Sequence, residues 1–451
     1  MAQAEKYNKQ VREQYEAYPY PERNPKDEKK RIVLPMLARL DTINHHCFGG
    51  RQDFKDFRVL VVGGGTGDTT IAWAEQLRGK KGSEVVYLDM STASMDIARK
   101  RAKIRNLHNI KWINDSLLDL PALKEELGEF DFITCTGVLH HLDDPDAGLQ
   151  AIKSVLKDDG AMEIMVYAKY GRMAVYQIQE MMQLINEGIT DNATKIKNTR
   201  AVLKDLPSHH LFKVSQQLGH TYDDMNSDAG IYDLFLHSQD RPYTILEVHD
   251  WLERCDLKLL DEPGVKYTQI HYQPETFIKD EELLAYVKTL PLKRQQAIAE
   301  NISSKITKHE FLTIPKEAKS PVADPDDLTL VPVSGMVVPL PFAAIAKDAE
   351  ANTESFSVTF NEYPGKPVAL IPDGKYIASI LRNINGKNNI GDIIEAVQND
   401  PAHKADKPKK NDILDEFKIL LKTLNYNHML LLRGAEIEPY PTIKIMQQRI
   451  Q

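Results

Sequence analysis

Four glycines crowd into five positions of "VLVVGGGTGDTT", residues 59–70: Gly63, Gly64, Gly65 and Gly67, with Asp68 directly after. Glycine lets a chain turn tightly and lets a ligand rest against the backbone, so close binding of something small is the first chemistry on offer. The acid narrows what that ligand is. A triphosphate loop needs Lys-Ser or Lys-Thr after its last glycine, and a dinucleotide site needs a third glycine where Asp68 stands, at the helix end that receives pyrophosphate. A carboxylate there repels phosphate and favours a cation. Downstream, Asp89 and Asp115 each follow an apolar run, and His140 and His141 fall together in "GVLHHLDDP". Adjacent histidines on one segment rarely face one metal, and no third ligand is evident in the sequence, so no metal is expected.

These residues need elements to hold them. "VLVV" reads as a strand buried on both faces, "TTIAWAEQLRG" as a helix, "EVVYLDM" as a strand, and "STASMDIARKRAKIRNL" as a helix opened by Ser91 and Thr92. "IKWIND", "FDFITCTGVL" and "AMEIMVYA" supply further strands, with "PDAGLQAIKSVLKDDG" as a helix before the last. Such βα repeats fold as a parallel sheet with helices on both faces, and ligands sit at the strands' carboxyl ends. At 451 residues the chain has room for two or three domains, and its net charge of −8 argues against a broad basic surface for nucleic acid. Three scattered cysteines, Cys47, Cys135 and Cys255, indicate neither a disulfide framework nor a clustered zinc site. The start "MAQAEKYNKQ" lacks an apolar leader and no stretch approaches the roughly 18 apolar residues of a bilayer span, so a cytoplasmic protein away from membranes is expected.

At this point the chain resembles class I S-adenosylmethionine-dependent methyltransferases over residues 57–170. The glycine stretch looks like their first motif, and Asp89, 22 positions beyond Gly67, resembles the acid that binds both ribose hydroxyls. Asp115 resembles the acid that meets the adenine amine, with Ser116 and Leu117 beside the ring, and "GVLHHLDDP" looks like the motif after the fourth strand of small-molecule methyltransferases. The resemblance implies S-adenosylmethionine as cofactor, with S-adenosylhomocysteine as product. Gly63, Gly64, Gly65, Gly67, Asp68, Asp89, Met90, Asp115, Ser116, Leu117, Thr136, Val138 and His141 would then bind it. The implied fold is α/β, a doubly wound Rossmann-like, mostly parallel seven-stranded sheet with a helical insertion, plus a smaller C-terminal α+β domain.

Outside that stretch, "VREQYEAYPYPERNP" interleaves Tyr15, Tyr18 and Tyr20 with Pro19 and Pro21. Prolines stiffen the segment, and similar methyltransferases use such a leader to cover the cofactor pocket, so residues 1–56 are expected to form a lid. His45 and His46 in "DTINHHCFGG" either line the pocket or sit in a connecting loop. The methyltransferase domain is expected over 57–280, with a helical insertion at about 172–243 roofing the acceptor site. Candidate substrate contacts are Tyr15, Tyr18, Tyr167, Tyr170, Arg172, Tyr176, Arg241 and Tyr243; candidate catalytic residues are His140, His141, His237 and Tyr20, the histidines for their pKa range. Residues 281–335 read as a helical segment and linker, and 336–451 as a winged-helix-like appendage whose acids, Asp392, Glu395 and Asp400, argue for protein contact over DNA. The expected activity is methyl transfer to an N, O or S atom of a small molecule, with a protein side chain of lysine type as the alternative, a non-catalytic cofactor-binding regulator as the alternative of another class, and a homodimer left open.

Overall fold

The computed structural model describes residues 9–35, 37–220, 222, 225–260, 266–319, 321–335, 340–352, 354–358, 369–405, 407–425 and 428–449. The buried apolar run ending at Val62 forms β1 (Arg58–Val62), which pairs in parallel with β2 (Glu84–Leu88) on one side and β4 (Phe130–Thr136) on the other. β3 (Ile110–Ile113) and β5 (Leu156–Tyr167) extend the sheet in parallel outward. β6 (Leu257–Leu259) and β7 (Lys308–Pro315) complete it in the order β3-β2-β1-β4-β5-β7-β6, with β7 antiparallel to both neighbours. The chain switches direction across the sheet between β1 and β4, so a crevice opens at their carboxyl ends.

Before the sheet lie α1 (Lys9–Ala17) and α2 (Leu40–Cys47); α3 (Asp68–Gln76), α4 (Thr92–Ile104), α5 (Leu120–Leu127) and α6 (Pro145–Lys153) connect its strands. The insertion is α7 (Met173–Ile185), α8 (Asn192–Asp205), α9 (Leu211–Gln217) and α10 (Asp228–Phe235), which form a separate apolar cluster around Val175, Ile178, Met182, Phe212 and Phe235. α11 (Ile245–Arg254), α12 (Glu281–Lys288) and α13 (Leu292–Ser303) follow. The strand β7 corrects the reading of 281–335 as helix and linker. Its alternation sends Glu310 and Leu312 to one face and His309, Phe311 and Thr313 to the other, and antiparallel pairing with β5 makes it part of the main sheet. The main sheet therefore runs past residue 280.

β8 (Leu330–Ser334) likewise leaves the expected linker, since it pairs antiparallel with β11 (Leu430–Gly434) of the C-terminal unit. That unit also holds α14 (Phe342–Ala351), the two-stranded sheet of β9 (Phe356–Val358) and β10 (Ala369–Ile371), α15 (Ile377–Asn383), α16 (Ile390–Gln398), α17 (Lys410–Asn425) and α18 (Ile443–Gln448), around its own core of Ile380, Ile393, Phe417 and Leu420. The expected boundary at 336 and the tail of "LKLLDE", Asp261 and Glu262, lie outside the described residues. Among the described residues no helix is long and apolar enough to cross a membrane.

His45 and His46 are neither in a loop nor in the crevice. Both sit on α2, where His45 Nδ1 accepts the backbone N–H of Leu432 at 3.0 Å and His46 packs edge-on against His428, 5.4 Å between ring centres. They join α2 to β11.

Candidate active site

A cavity of about 460 Å³ occupies the crevice, lined by the glycine turn, the ends of β2 to β5, part of β7, α10 and the N-terminal leader. The turn is shaped first by the protein's own backbone. Gly65 has φ +50°, and a Cβ there would stand 2.7 Å from the carbonyl oxygen of Tyr20. Gly67, with φ +100° at the start of α3, packs where a Cβ would meet Ala98 at 2.8 Å; it shapes the turn and does not line the cavity. The other expected cofactor positions all do: Gly63, Gly64, Gly65, Asp68, Asp89, Met90, Asp115, Ser116, Leu117, Thr136, Val138 and His141.

Asp89 ends the second strand with its carboxylate held by two backbone donors, Gly65 N–H to Oδ2 and Ser91 N–H to Oδ1, both at 2.7 Å. Burial pushes its pKa up to about 6 against the pull of those donors, and the charge of Glu16 adds to the rise. Two lone pairs remain on a carboxylate so held, enough to accept a pair of hydroxyls. Asp115 Oδ1 accepts the N–H of Ser116 at 2.8 Å, which fixes the loop after β3.

Asp68 departs from its expected part. Its carboxylate takes Arg23 on both oxygens at 2.7–3.1 Å and Arg101 Nη1 at 2.7 Å. Burial alone would raise its pKa, yet the Arg23 hydrogen bonds and the Arg101 charge hold it below the usual carboxylate value. The acid is thus neutralised within the protein and anchors the leader; it is no open charge that repels phosphate or draws a ligand cation. Glu28, 3 % exposed, continues the anchor by pairing with Arg101 at 2.6 Å and with Arg105. On the other side of the leader, Glu16 accepts the N–H groups of Thr92 and Ala93 at 2.7 and 3.1 Å, capping α4 from outside.

The leader lies over the cavity as a lid would: Val11, Tyr15, Tyr20 and Pro21 all face it. Tyr15 donates to Asp233 Oδ1 at 3.0 Å and Tyr167 to Oδ2 at 3.3 Å, so two tyrosines from distant segments meet one buried carboxyl of α10. Tyr18 stacks instead on Tyr232, ring centres 5.2 Å apart, and ties the leader to the insertion from outside the cavity. Of the remaining substrate candidates, Tyr170, Arg172, Tyr176, Arg241 and Tyr243 do not line it either. Arg172 lies over the Tyr167 ring at 3.5 Å and 5.8 Å from the Tyr176 ring, Tyr243 stacks on Trp251 in the core, and Arg241 is exposed.

The three histidines occupy different places. His141 faces the cavity with Nδ1 2.7 Å from the Gln239 carbonyl, which can only accept; Nδ1 carries the proton and Nε2 keeps a lone pair. His237 stacks on it at 3.7 Å, and its Nδ1 accepts the Gln239 N–H at 3.1 Å. His140 is fully buried behind Tyr167, with burial holding its pKa well below the usual value, and does not reach the cavity. Tyr20 borders the cavity. Third ligands, unseen in the sequence, do come close: against expectation the adjacent pair His140 and His141 meets Asp240, and His141 also meets Asp233 and His237, with the donor atoms of each group within 4.8 Å of one another. In the first group Asp240 already faces the Arg172 guanidinium at 3.8 Å. The second fits a metal poorly, because the bond from Gln239 occupies the Nδ1 lone pair of His237 and leaves the proton on Nε2, the nitrogen that faces the group. Sequence reasoning passed over Asp233, Glu163, Lys308 and Glu310; an acid inside the apolar strand "AMEIMVY" was the available signal for Glu163.

Residues 60–162 match a family model described as a methyltransferase domain. The chain carries a class I methyltransferase domain. S-adenosylmethionine is the cofactor of this methyltransferase domain, and the residues present fit it: an acid at the end of β2, a second acid with Ser116 and Leu117 after β3, and an aromatic cover. An uncharacterised protein of Synechococcus sp. is 28 % identical over 248 residues, 54 % of this chain and 58 % of that one. A ubiquinone biosynthesis O-methyltransferase of Actinobacillus pleuropneumoniae is 36 % identical over 144 residues, 31 % of this chain and 56 % of that one. The chain thus spans less than two thirds of the length of these relatives. Among solved structures, PKMT2 from Rickettsia typhi shares the fold with a TM-score of 0.63 over 91 % of this chain and 78 % of that one, at 18 % identity.

Proposed function

We propose that this protein transfers the methyl group of S-adenosylmethionine to a compact acceptor, a small molecule, held under the leader. The observation that carries the reading is the continuity of the cavity: it runs from Asp89 and Asp115 past the glycine turn to Tyr167, Asp233 and Glu163, and none of its lining residues among those described lies beyond Glu310. A space of about 460 Å³ suits the cofactor with a modest partner.

Bound S-adenosylmethionine supplies an electrophilic methyl group on a sulfonium. What the chain adds is position and exclusion of water. Tyr15, Tyr20 and Pro21 close over the turn, and Thr136, Val138 and Met165 shape the far wall, which confines a nucleophile beside the cofactor. Holding two reactants in this way supplies roughly 7–11 kcal/mol of the barrier. His141 Nε2, oriented by the Gln239 carbonyl, accepts the proton that a hydroxyl or ammonium acceptor must lose.

The test is radiolabelled S-adenosylmethionine incubated with a cell extract split into metabolite and macromolecular fractions. Label in a metabolite supports the reading. Label in protein moves the assignment to a protein side chain, and S-adenosylhomocysteine binding without any turnover makes the protein a non-catalytic binder.

A further inference from the structure

The floor of the cavity holds an acid pair that methyl transfer as such does not require. In the β5–β7 ladder Tyr167 lies opposite Lys308, Met165 opposite Glu310 and Glu163 opposite Leu312. Residues directly opposite share a face of the sheet, which makes Glu163 and Glu310 diagonal neighbours within reach of each other. Both line the cavity. Glu163 is 1 % exposed, and neither of its carboxyl oxygens has a partner in good hydrogen-bond geometry among the described residues; the Thr134 hydroxyl on β4 lies near enough to favour the ionised form. Above the floor stands a third buried carboxyl, Asp233, between the hydroxyls of Tyr15 and Tyr167. Lys308, 3.9 Å from Glu310, is the sole lysine or arginine among the described lining residues.

A buried, unbonded carboxyl is costly, and it is relieved either by a proton or by a cation brought in from outside. Asp68 has two arginines bonded to its carboxylate; Glu163 has no cation bonded to it, and Lys308 acts on it only from beside Glu310. Tyrosine faces, which attract cations at about 0.5–2 kcal/mol, complete the surroundings.

We propose that the acceptor is an amine that enters as its ammonium ion, with Glu163 and Glu310 recognising the charge. This rests on the methyl-transfer reading. In the transfer, one N–H proton of the ammonium passes to His141 Nε2, and the freed nitrogen pair forms the bond to the methyl carbon. The carbon–sulfur bond breaks with its electrons left on sulfur, and the methylated amine leaves as a cation.

Burial, the Glu310 charge and, in the opposite sense, Thr134 and Lys308 bring the pKa of Glu163 up to about 8. It therefore holds a proton at neutral pH and must release it when an ammonium arrives. The experiment is calorimetry on the full chain saturated with S-adenosylhomocysteine, with n-butylammonium as probe and 1-butanol as its uncharged counterpart. Butylammonium should bind at least tenfold more tightly than butanol, and at pH 7 titrations in two buffers of different ionisation heat should show about one proton released per cation, fading by pH 9. Glu163→Gln should weaken butylammonium tenfold or more and leave S-adenosylhomocysteine within twofold. Equal binding of amine and alcohol, or an unaffected Glu163→Gln, overturns the proposal; so does a tenfold loss of S-adenosylhomocysteine in that variant, which would give the carboxyl to the cofactor's own ammonium. If Glu163→Gln does not fold, Glu310→Gln and the proton release of the wild-type protein decide. Failure of the wild-type protein to bind S-adenosylhomocysteine at all would instead remove the methyl-transfer reading.

Discussion

Cofactor affinity should fall with acid, with its midpoint set by Asp89. The ribose hydroxyls are donors, and only the ionised carboxylate offers both oxygens to them while still holding Gly65 and Ser91. With a free-protein pKa of about 6, the binding form is nearly complete at pH 7 and about a tenth of the population at pH 5. The dissociation constant for S-adenosylhomocysteine should therefore rise about tenfold from pH 7 to pH 5 and stay flat above pH 7. The ligand's α-carboxyl and α-amino groups titrate outside that window. Asp89→Asn should cost about 1.5–3 kcal/mol, roughly 10- to 150-fold in affinity, and flatten the profile, because its acceptor no longer titrates. Glu16→Gln, by removing the nearby negative charge, should move the midpoint to lower pH. Calorimetry across pH 5–8 measures all three. A wild-type constant that does not change between pH 5 and pH 7 would refute the reasoning, since a buried, cofactor-binding carboxyl cannot titrate there silently.

Deleting residues 1–21 removes Tyr15 and Tyr20 but keeps Arg23 and Glu28, so a cooperative melt should survive while methyl transfer is lost; full turnover by the truncated chain would show that the leader is no lid. Glu28→Ala leaves Arg101 and Arg105 buried without their shared partner and should destabilise the protein by about 3–5 kcal/mol in denaturant melts. Because the folded-state pKa of Glu163 is raised, the protein loses stability as pH climbs from the carboxyl's usual 4.5 through about 8. Glu163→Gln should escape that loss, so the two melting curves should separate by a few kcal/mol at pH 9 and converge near pH 4.

Strand-end chemistry was readable from the sequence because each residue sits at a fixed offset from an apolar run. Gly63 to Gly67 follow β1, Asp89 follows β2 and Asp115 follows β3, and a parallel sheet brings all such ends to one edge. β7 was hidden, since "KHEFLTIP" mixes charged with apolar residues and directly follows helical sequence; only its place beside β5 gives that alternation meaning. The roof shows the same limit. The insertion and leader were found, but whether a tyrosine reaches the cavity depends on partners far along the chain: Tyr15 meets Asp233, whereas Tyr18 meets Tyr232, one residue earlier on the same helix. Asp68 was misread for the same cause, as its arginines lie 45 positions before and 33 after it.

The root of the leader and the last described helix are fastened to one place. Tyr440 accepts from Asn44 of α2 at 2.7 Å, Gln447 meets Arg105 at 3.4 Å, and Arg449 donates to the backbone oxygen of Glu75 at 3.1 Å. Arg105 is also the partner of Glu28, so the root of the leader and the last helix share a single buttress on α3 and α4. An excised fragment spanning only the sheet would lose that brace and the leader's footing with it. The same geometry makes residues 440–449 a poor place for a fusion partner: bulk added there would press on the root of the leader at Glu28, some four hundred residues away in sequence.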